Sequence, residues 1–264
     1  MCRNRALSFA TYRFVEQKVK VGKRTRISTL LAFILINGTA FAIYMHAGVV
    51  REVPELYVSM NNVHRNMHAE YVDRIYPYDK DFPVGNGKIN VLVIGNSFAR
   101  DWSNILLESE MASKINLSYI YQIDEKYSER IKQADYIFIY DWRHKVPYYV
   151  WENAKPSAEV WGIGTKNFGE SNGTIYKNRH RDDYFQQTIK VNPNFITANE
   201  RMKREWKDKY IDLLALSLVG NDGSVVVFSP DGKYMSQDTR HLSKGGAEYF
   251  AKKIDFDKIF RKQK

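Results

Sequence analysis

Three residues of this 264-residue sequence, Ser97, Asp238 and His241, have the types and settings for nucleophilic catalysis. A serine hydroxyl attacks a carbonyl only when a base takes its proton, and an imidazole serves best when a carboxylate fixes its tautomer. Asp238 stands three residues before His241 in "SQDTRHLSKGGAEYF". One turn can therefore bring the carboxylate to Nδ1–H and leave Nε2 for a serine. Ser97 lies in "VLVIGNSFARDW", Val91 to Trp102, where an aliphatic run gives way to helical spacing through Ile105 and Leu106. That pattern predicts a strand-to-helix turn at the carboxyl edge of a parallel sheet, which aims the hydroxyl outward. Each feature has a plain structural alternative: Ser97 as the cap of the next helix, and Asp238–His241 as a surface turn before a helix capped by Ser243. Taken together they favour a triad with Ser97 as nucleophile, His241 as base and Asp238 as its orienter.

The other histidines fit the role of base less well. His46 falls in an apolar stretch, and His144 and His180 are flanked by Arg143 and by Arg179 and Arg181, which oppose imidazolium formation. His64 and His68 are four apart, but no nearby Cys or third His completes a metal site, and both read as surface residues. The single cysteine, Cys2, provides neither a disulfide framework nor a thiolate metal site. No metal and no cofactor are expected.

The elements that must position the triad follow from the pattern of apolar runs. Strands are predicted at Ile89 to Ile94, Leu117 to Tyr121, Tyr136 to Tyr140, Glu159 to Ile163 and Ser224 to Phe228. Helices are predicted near 98–112, 125–133, 145–154 and 197–219, the last opening on a Thr197/Glu200 capping box and stopping at Gly220. Strands separated by helices predict an α/β fold, a three-layer α/β/α sandwich on a five-stranded parallel sheet.

The net charge of +10 would ordinarily point to nucleic acid. Its distribution argues otherwise. Residues 1–26 hold eight Lys and Arg against Glu16 alone, and so carry +7 of the total. Directly after them, Ile27 to Val50 contains no Asp, Glu, Lys or Arg over 24 residues, enough helix to cross a hydrocarbon core about 30 Å thick. Only Arg51 and Arg65 follow within the next twenty positions, so the positive-inside rule places the N-terminus in the cytoplasm and the rest outside. The Ala40-x-Ala42 pair offers a cleavable signal peptide as the alternative, against which the apolar stretch runs on past the pair. The predicted organisation is a basic cytoplasmic segment (1–26), a transmembrane helix (27–50), a juxtamembrane linker closed by Pro83, Gly85 and Gly87 (51–88) and a catalytic domain (89–264). This is a single-pass protein of the inner membrane with its domain outside the cytoplasm and no nucleic-acid partner.

"VLVIGNSFARD" resembles the first block of the SGNH (GDSL-type) hydrolase superfamily, and "DTRHLSKGGA" resembles its last. The Gly-Asn-Ser variant is similar to SGNH domains attached to acyltransferase type 3 membrane proteins. "SFATYRFVEQKVK", Ser8 to Lys20, is similar to the segment before a late transmembrane helix in those proteins, with Lys18 where proline is usual. The resemblance implies that the chain corresponds to the C-terminal end of such a protein, without the multi-helix acyltransferase domain. It matches Ser97, His241 and Asp238 to the family's triad. The family's Gly-x-Asn-Asp oxyanion block is missing, since "YIFIY" runs into "DWRHK". Asn167, in "GIGTKNFGESNG", is the nearest substitute donor, although the same stretch also reads as a glycine-rich turn. The implied activity is transfer of an acyl group, expected to be acetyl, to a hydroxyl of an extracytoplasmic glycan or lipid-linked saccharide, with a separate membrane acyltransferase domain delivering the acyl group. An SGNH-type carbohydrate esterase or deacetylase is the enzymatic alternative. A non-catalytic glycan-binding module, using aromatics such as Trp142, Tyr148, Tyr149 and Trp151, is the other.

The charge asymmetry gives a direct expectation for topology. On intact cells a membrane-impermeant maleimide should label a cysteine introduced by Lys264→Cys and leave Cys2 unlabelled; the reverse pattern would invert the orientation.

Overall fold

The computed structural model describes residues 12–13, 22–45, 58–59, 62–140 and 148–261, with the antiparallel strands β1 (Val58–Ser59) and β2 (Asn62–Asn66) described as backbone only. The chain divides into two units, Met1–Gly48 and Val49–Lys264. The first contains helix α1 (Lys23–Met45), apolar and long enough to cross a membrane, with none of its residues buried. It begins inside the basic block, four residues before the expected start, and His46 and the rest of the predicted span lie outside the described residues.

The second unit is built on a parallel sheet in the order β4 (Ile115–Ile120), β3 (Ile89–Gly95), β5 (Tyr136–Tyr140), β6 (Glu159–Ile163) and β8 (Tyr210–Ile211). Side chains alternate across it as a strand requires. Val91, Val93, Tyr136, Phe138, Trp161 and Ile163 enter one core, while Leu92, Ile94, Ile137, Ile139 and Val160 enter the other. Both faces are covered, which is why these strands read as continuous apolar runs. Trp102 and Ile105 of α3 (Ser97–Leu107) fill the first core, with Phe250 of α8 (Lys244–Lys253) and Ile259 of α9 (Phe256–Ile259). Ile131 of α4 (Ser128–Gln133) and Val150 of α5 (Tyr148–Asn153) fill the second. The expected three-layer α/β/α sandwich is the observed one.

Three details differ from the sequence reading. The fifth parallel strand is Tyr210–Ile211; Ser224–Val226 (β10) instead lies in an antiparallel sheet between β7 (Thr188–Lys190) and β9 (Leu218–Val219). Val225 is fully buried there, and an apolar run reports burial without saying in which sheet. The long predicted helix is two: α6 (Pro193–Trp206) starts on the Asn192 cap with Pro193 in its first turn and ends where Lys207 takes φ 51°, and α7 (Leu213–Ser217) follows β8. Thr197 sits inside α6, its hydroxyl donating to Pro193 O at 3.3 Å, so it is not the cap. Finally, the part of the predicted linker around Arg74 and Ile75 packs against the domain. Arg74, just after α2 (Met67–Asp73), donates to Asn104 and Glu108 of α3 at 2.7 and 2.6 Å, and Ile75 is fully buried.

The strand order creates the place for a site. The chain leaves β3 toward the edge strand β4, then crosses back over β3 to β5. Open α/β sheets bind ligands beyond the carboxyl ends of their strands at such a reversal, here the ends of β3 and β5 at Gly95 and Tyr140.

Candidate active site

Gly95 takes φ +133°, and a Cβ there would lie 2.6 Å from Tyr140 O, so only glycine lets β3 turn this close to β5. Asn96 then caps α3, its side-chain oxygen accepting from Phe98 N at 3.0 Å. Ser97 is consequently the first helical residue rather than the cap, and its hydroxyl is free to pair elsewhere. It lies 2.8 Å from His241 Nε2, across 144 positions of sequence, and His241 Nδ1 lies 2.6 Å from Asp238 Oδ2. The three form one continuous hydrogen-bonded chain.

The loop carrying His241 and Asp238 is tied by its own backbone. Asp238 Oδ1 accepts from Arg240 N at 2.6 Å and from His241 N at 2.8 Å, and the Ser236 hydroxyl donates to His241 O at 2.5 Å. Burial opposes the charge of Asp238, yet the hydrogen bonds from the His241 imidazole and the two backbone N–H groups outweigh it and hold the carboxyl far below the usual carboxylate range. Asp238 is therefore ionised at neutral pH and acceptor-only. Ser243 does cap the following helix, accepting from Gly246 N at 3.0 Å, so the turn-and-cap alternative and the Ser97 pairing coexist in one loop.

Asn167 is not available as an oxyanion donor. Its two amide hydrogens go to Gly169 O and Thr239 O at 3.0 and 3.1 Å, and its oxygen accepts from Gly169 N and Asn192 N. A primary amide has two donors, and both are committed, one within its own loop and one fixing that loop to Thr239 between Asp238 and His241. Asn96 borders Ser97 on the open side instead; its amide nitrogen makes no hydrogen bond among the described residues.

Two buried charges beneath the site carried no sequence signal. Asp101 and Lys166 have no exposed surface and pair at 2.8 Å, and Asp101 Oδ2 also accepts from Leu242 N at 3.0 Å. The ammonium lies 3.8 Å from the centre of the Phe98 ring. Burial pushes Lys166 down, with Asp101 opposing the shift. His68 corrects the surface assignment. It is half-buried, its Nδ1 has no hydrogen-bond partner among the described residues, and with Asn172, Tyr176, Gln237 and Asp238 it lines a cavity of about 330 Å³. Burial lowers its pKa from the usual 6.5, with Asp101 and Asp238 opposing. His180 is exposed, and His144 and the His64 side chain lie outside the described residues.

No family model and no curated protein matches the sequence. Among solved structures, the chain is similar to the periplasmic domain of the lipopolysaccharide acetyltransferase of Salmonella ser. Paratyphi A, at 14% identity over 71% of this chain and 97% of that one, with a TM-score of 0.48. It is also similar to a possible lipase from Chitinophaga pinensis DSM 2588, at 14% identity over 66% and 98% of the two chains, with a TM-score of 0.34. At these values the functional reading rests on the site's own geometry.

Asp101→Asn leaves the Lys166 ammonium buried without its counter-charge, so the denaturation midpoint should fall by the equivalent of about 3–5 kcal/mol. The double change Asp101→Leu with Lys166→Met should recover part of that loss; a fully stable Asp101→Asn protein would show that the pair carries no such role. For His68 the sign runs the other way from a salt-bridged imidazole. Its folded pKa lies below 6.5, so as pH falls through that value the unfolded chain takes up the proton first and stability declines. His68→Gln should flatten the stability profile between about pH 7.5 and 5.5 in chemical denaturation, and an unchanged slope would refute the assignment.

Proposed function

We propose that the site transfers an acyl group, acetyl in the simplest case, onto a hydroxyl of an extracytoplasmic glycan or lipid-linked saccharide. The observation that carries this reading is the unbroken Ser97–His241–Asp238 hydrogen-bonded chain at the switch point of the sheet. His241 Nε2 takes the Ser97 proton as Oγ attacks the donor carbonyl, and the resulting imidazolium, held by Asp238, returns the proton to the departing group. An acyl-Ser97 ester remains. The acceptor hydroxyl then gives its proton to His241 and attacks that ester, and collapse of the second tetrahedral intermediate restores Ser97. The developing oxyanion sits near the amino end of α3, where the Ser97 backbone N–H and the Asn96 side-chain amide are the candidate donors.

Water in place of the sugar hydroxyl would make the same site an esterase, and the half-exposed Ser97 is open to either nucleophile. The basic flank and the apolar α1 support anchoring in the inner membrane with the catalytic unit outside. In that setting a membrane acyltransferase domain is the source of the acyl group.

The full chain in detergent should release nitrophenol from 4-nitrophenyl acetate, and Ser97→Ala should return the rate to background. Asp238→Asn should cost up to about 10⁴-fold, as loss of the orienting carboxylate does in such triads, and His241→Ala at least as much. Ser97→Ala combined with His241→Ala should add little to either change alone, because the residues act as a unit. A wild-type rate equal to background would leave a non-catalytic glycan-binding module, for which the exposed Tyr148 and Trp151 speak.

A further inference from the structure

Beside the Ser97–His241 pair lies a second cavity, of about 360 Å³, within the range of about 300–1,000 Å³ typical of small-ligand sites. Its walls are mostly apolar and include three aromatic rings. Phe98 and Tyr140 stack with ring centres 4.5 Å apart, Phe98 stands edge-on to His241 at 6.5 Å, and Phe195 closes the far side. One face of α6 supplies that far wall, since Phe195, Ala198 and Met202 recur at helical spacing. Two arginines complete the lining, Arg201 from the same face of α6 and Arg240 from the triad loop. Neither makes an ion pair among the described residues, although Arg74, Arg130 and Arg181 each do, and no acidic residue lines the cavity among the described residues. Arg240 is placed by the catalytic loop itself: its backbone N–H is bonded to Asp238 Oδ1, and its guanidinium lies 5.6 Å from the Phe195 ring centre.

We propose that this cavity selects an acceptor saccharide bearing an anionic group, a uronate carboxylate or a sugar phosphate. Tyr140, backed by the stacked Phe98, and Phe195 offer apolar surface to a sugar ring, while Arg201 and Arg240 take the anion from the rim. Guanidinium forks match both carboxylate and phosphate, and an apolar wall beside them reduces screening by water. An uncharged acetyl group alone gives two unpaired cations no partner, so the charge assigns the cavity to the acceptor. The inference rests on the acyl-transfer reading for its biological meaning but is tested by binding, so the two fail separately.

The test uses the full chain carrying Ser97→Ala in detergent micelles, with trigalacturonate, glucose 6-phosphate and maltotriose as probes in calorimetric titration. At least one anionic probe should bind about tenfold or more tighter than neutral maltotriose, and the preference should shrink as salt is raised to roughly 0.5 M. Which of the two anionic probes prevails assigns carboxylate or phosphate. Arg201→Gln and Arg240→Gln should each reduce the preference about fivefold or more, the corresponding Arg→Lys changes should restore part of it, and Arg204→Gln, on α6 outside the cavity lining, should not alter it. Equal affinity for all three probes, no binding by any, or a preference that survives loss of both arginines would overturn the proposal. None of these results bears on nitrophenyl acetate turnover by the unsubstituted chain.

Discussion

The buried Asp101–Lys166 pair is the constraint on which the geometry of the site depends. Its two charges are wholly removed from water, and each would be untenable without the other. One turn of α3 separates Asp101 from Ser97, Lys166 stands just past β6, and the same carboxylate oxygen takes the N–H of Leu242, the residue after His241. Three segments distant in sequence therefore meet at one carboxylate. Any shift of the histidine loop away from α3 would break a charge-assisted hydrogen bond in a dry interior, where no water can replace it. The separation between Ser97 and His241 is set from below.

Above that anchor, labour is divided among neighbours that each do one thing. Asn96 caps the helix and so releases Ser97 from capping; Gly95 lets β3 end against Tyr140 O; Asn167 joins the loop after β6 to Thr239 with one amide hydrogen and ties Gly169 and Asn192 with its other bonds. Phe168 N reinforces that seam by donating to the same Thr239 carbonyl at 2.9 Å. The turn from Asp238 to His241 is thus held at Thr239 and Leu242, at both sides of the imidazole. Preorganisation of this kind holds the Ser97 hydroxyl and the His241 imidazole within hydrogen-bond distance without further rearrangement.

What could be read from the sequence was what is local. Ser97 after a buried aliphatic run, and Asp238 three residues from His241, are short-range patterns whose chemistry depends on little else. The strands β3, β5 and β6 were legible because burial on both faces leaves unbroken apolar runs. The fifth strand was not, since Tyr210–Ile211 is only two residues long and Val225 is buried for a different sheet. Asn167 was identified by residue type, and only the fold reveals that its donors are already committed. Asp101, Lys166 and His68 gave no signal because their meaning lies in partners 65 or more positions away: Asp101 reaches Lys166, and His68 reaches the surroundings of Asp238. The split of the predicted 197–219 helix has a local cause after all, in the Asn192-Pro193 start and the positive φ of Lys207.

The charges around the site follow one rule on its two sides. Beneath Ser97, where water is excluded, every charge described here is matched: Lys166 has Asp101, and Asp101 in turn holds a backbone N–H. At the exposed rim a guanidinium stays hydrated and costs little, so Arg201 and Arg240 persist without carboxylate partners among the described residues. An internal salt bridge to either would neutralise the rim before any ligand arrived, whereas an open cation costs the fold nothing and keeps its full interaction for an incoming anion. Pairing below and openness above are therefore two outcomes of the same desolvation energy, applied to a dry floor and a wet mouth.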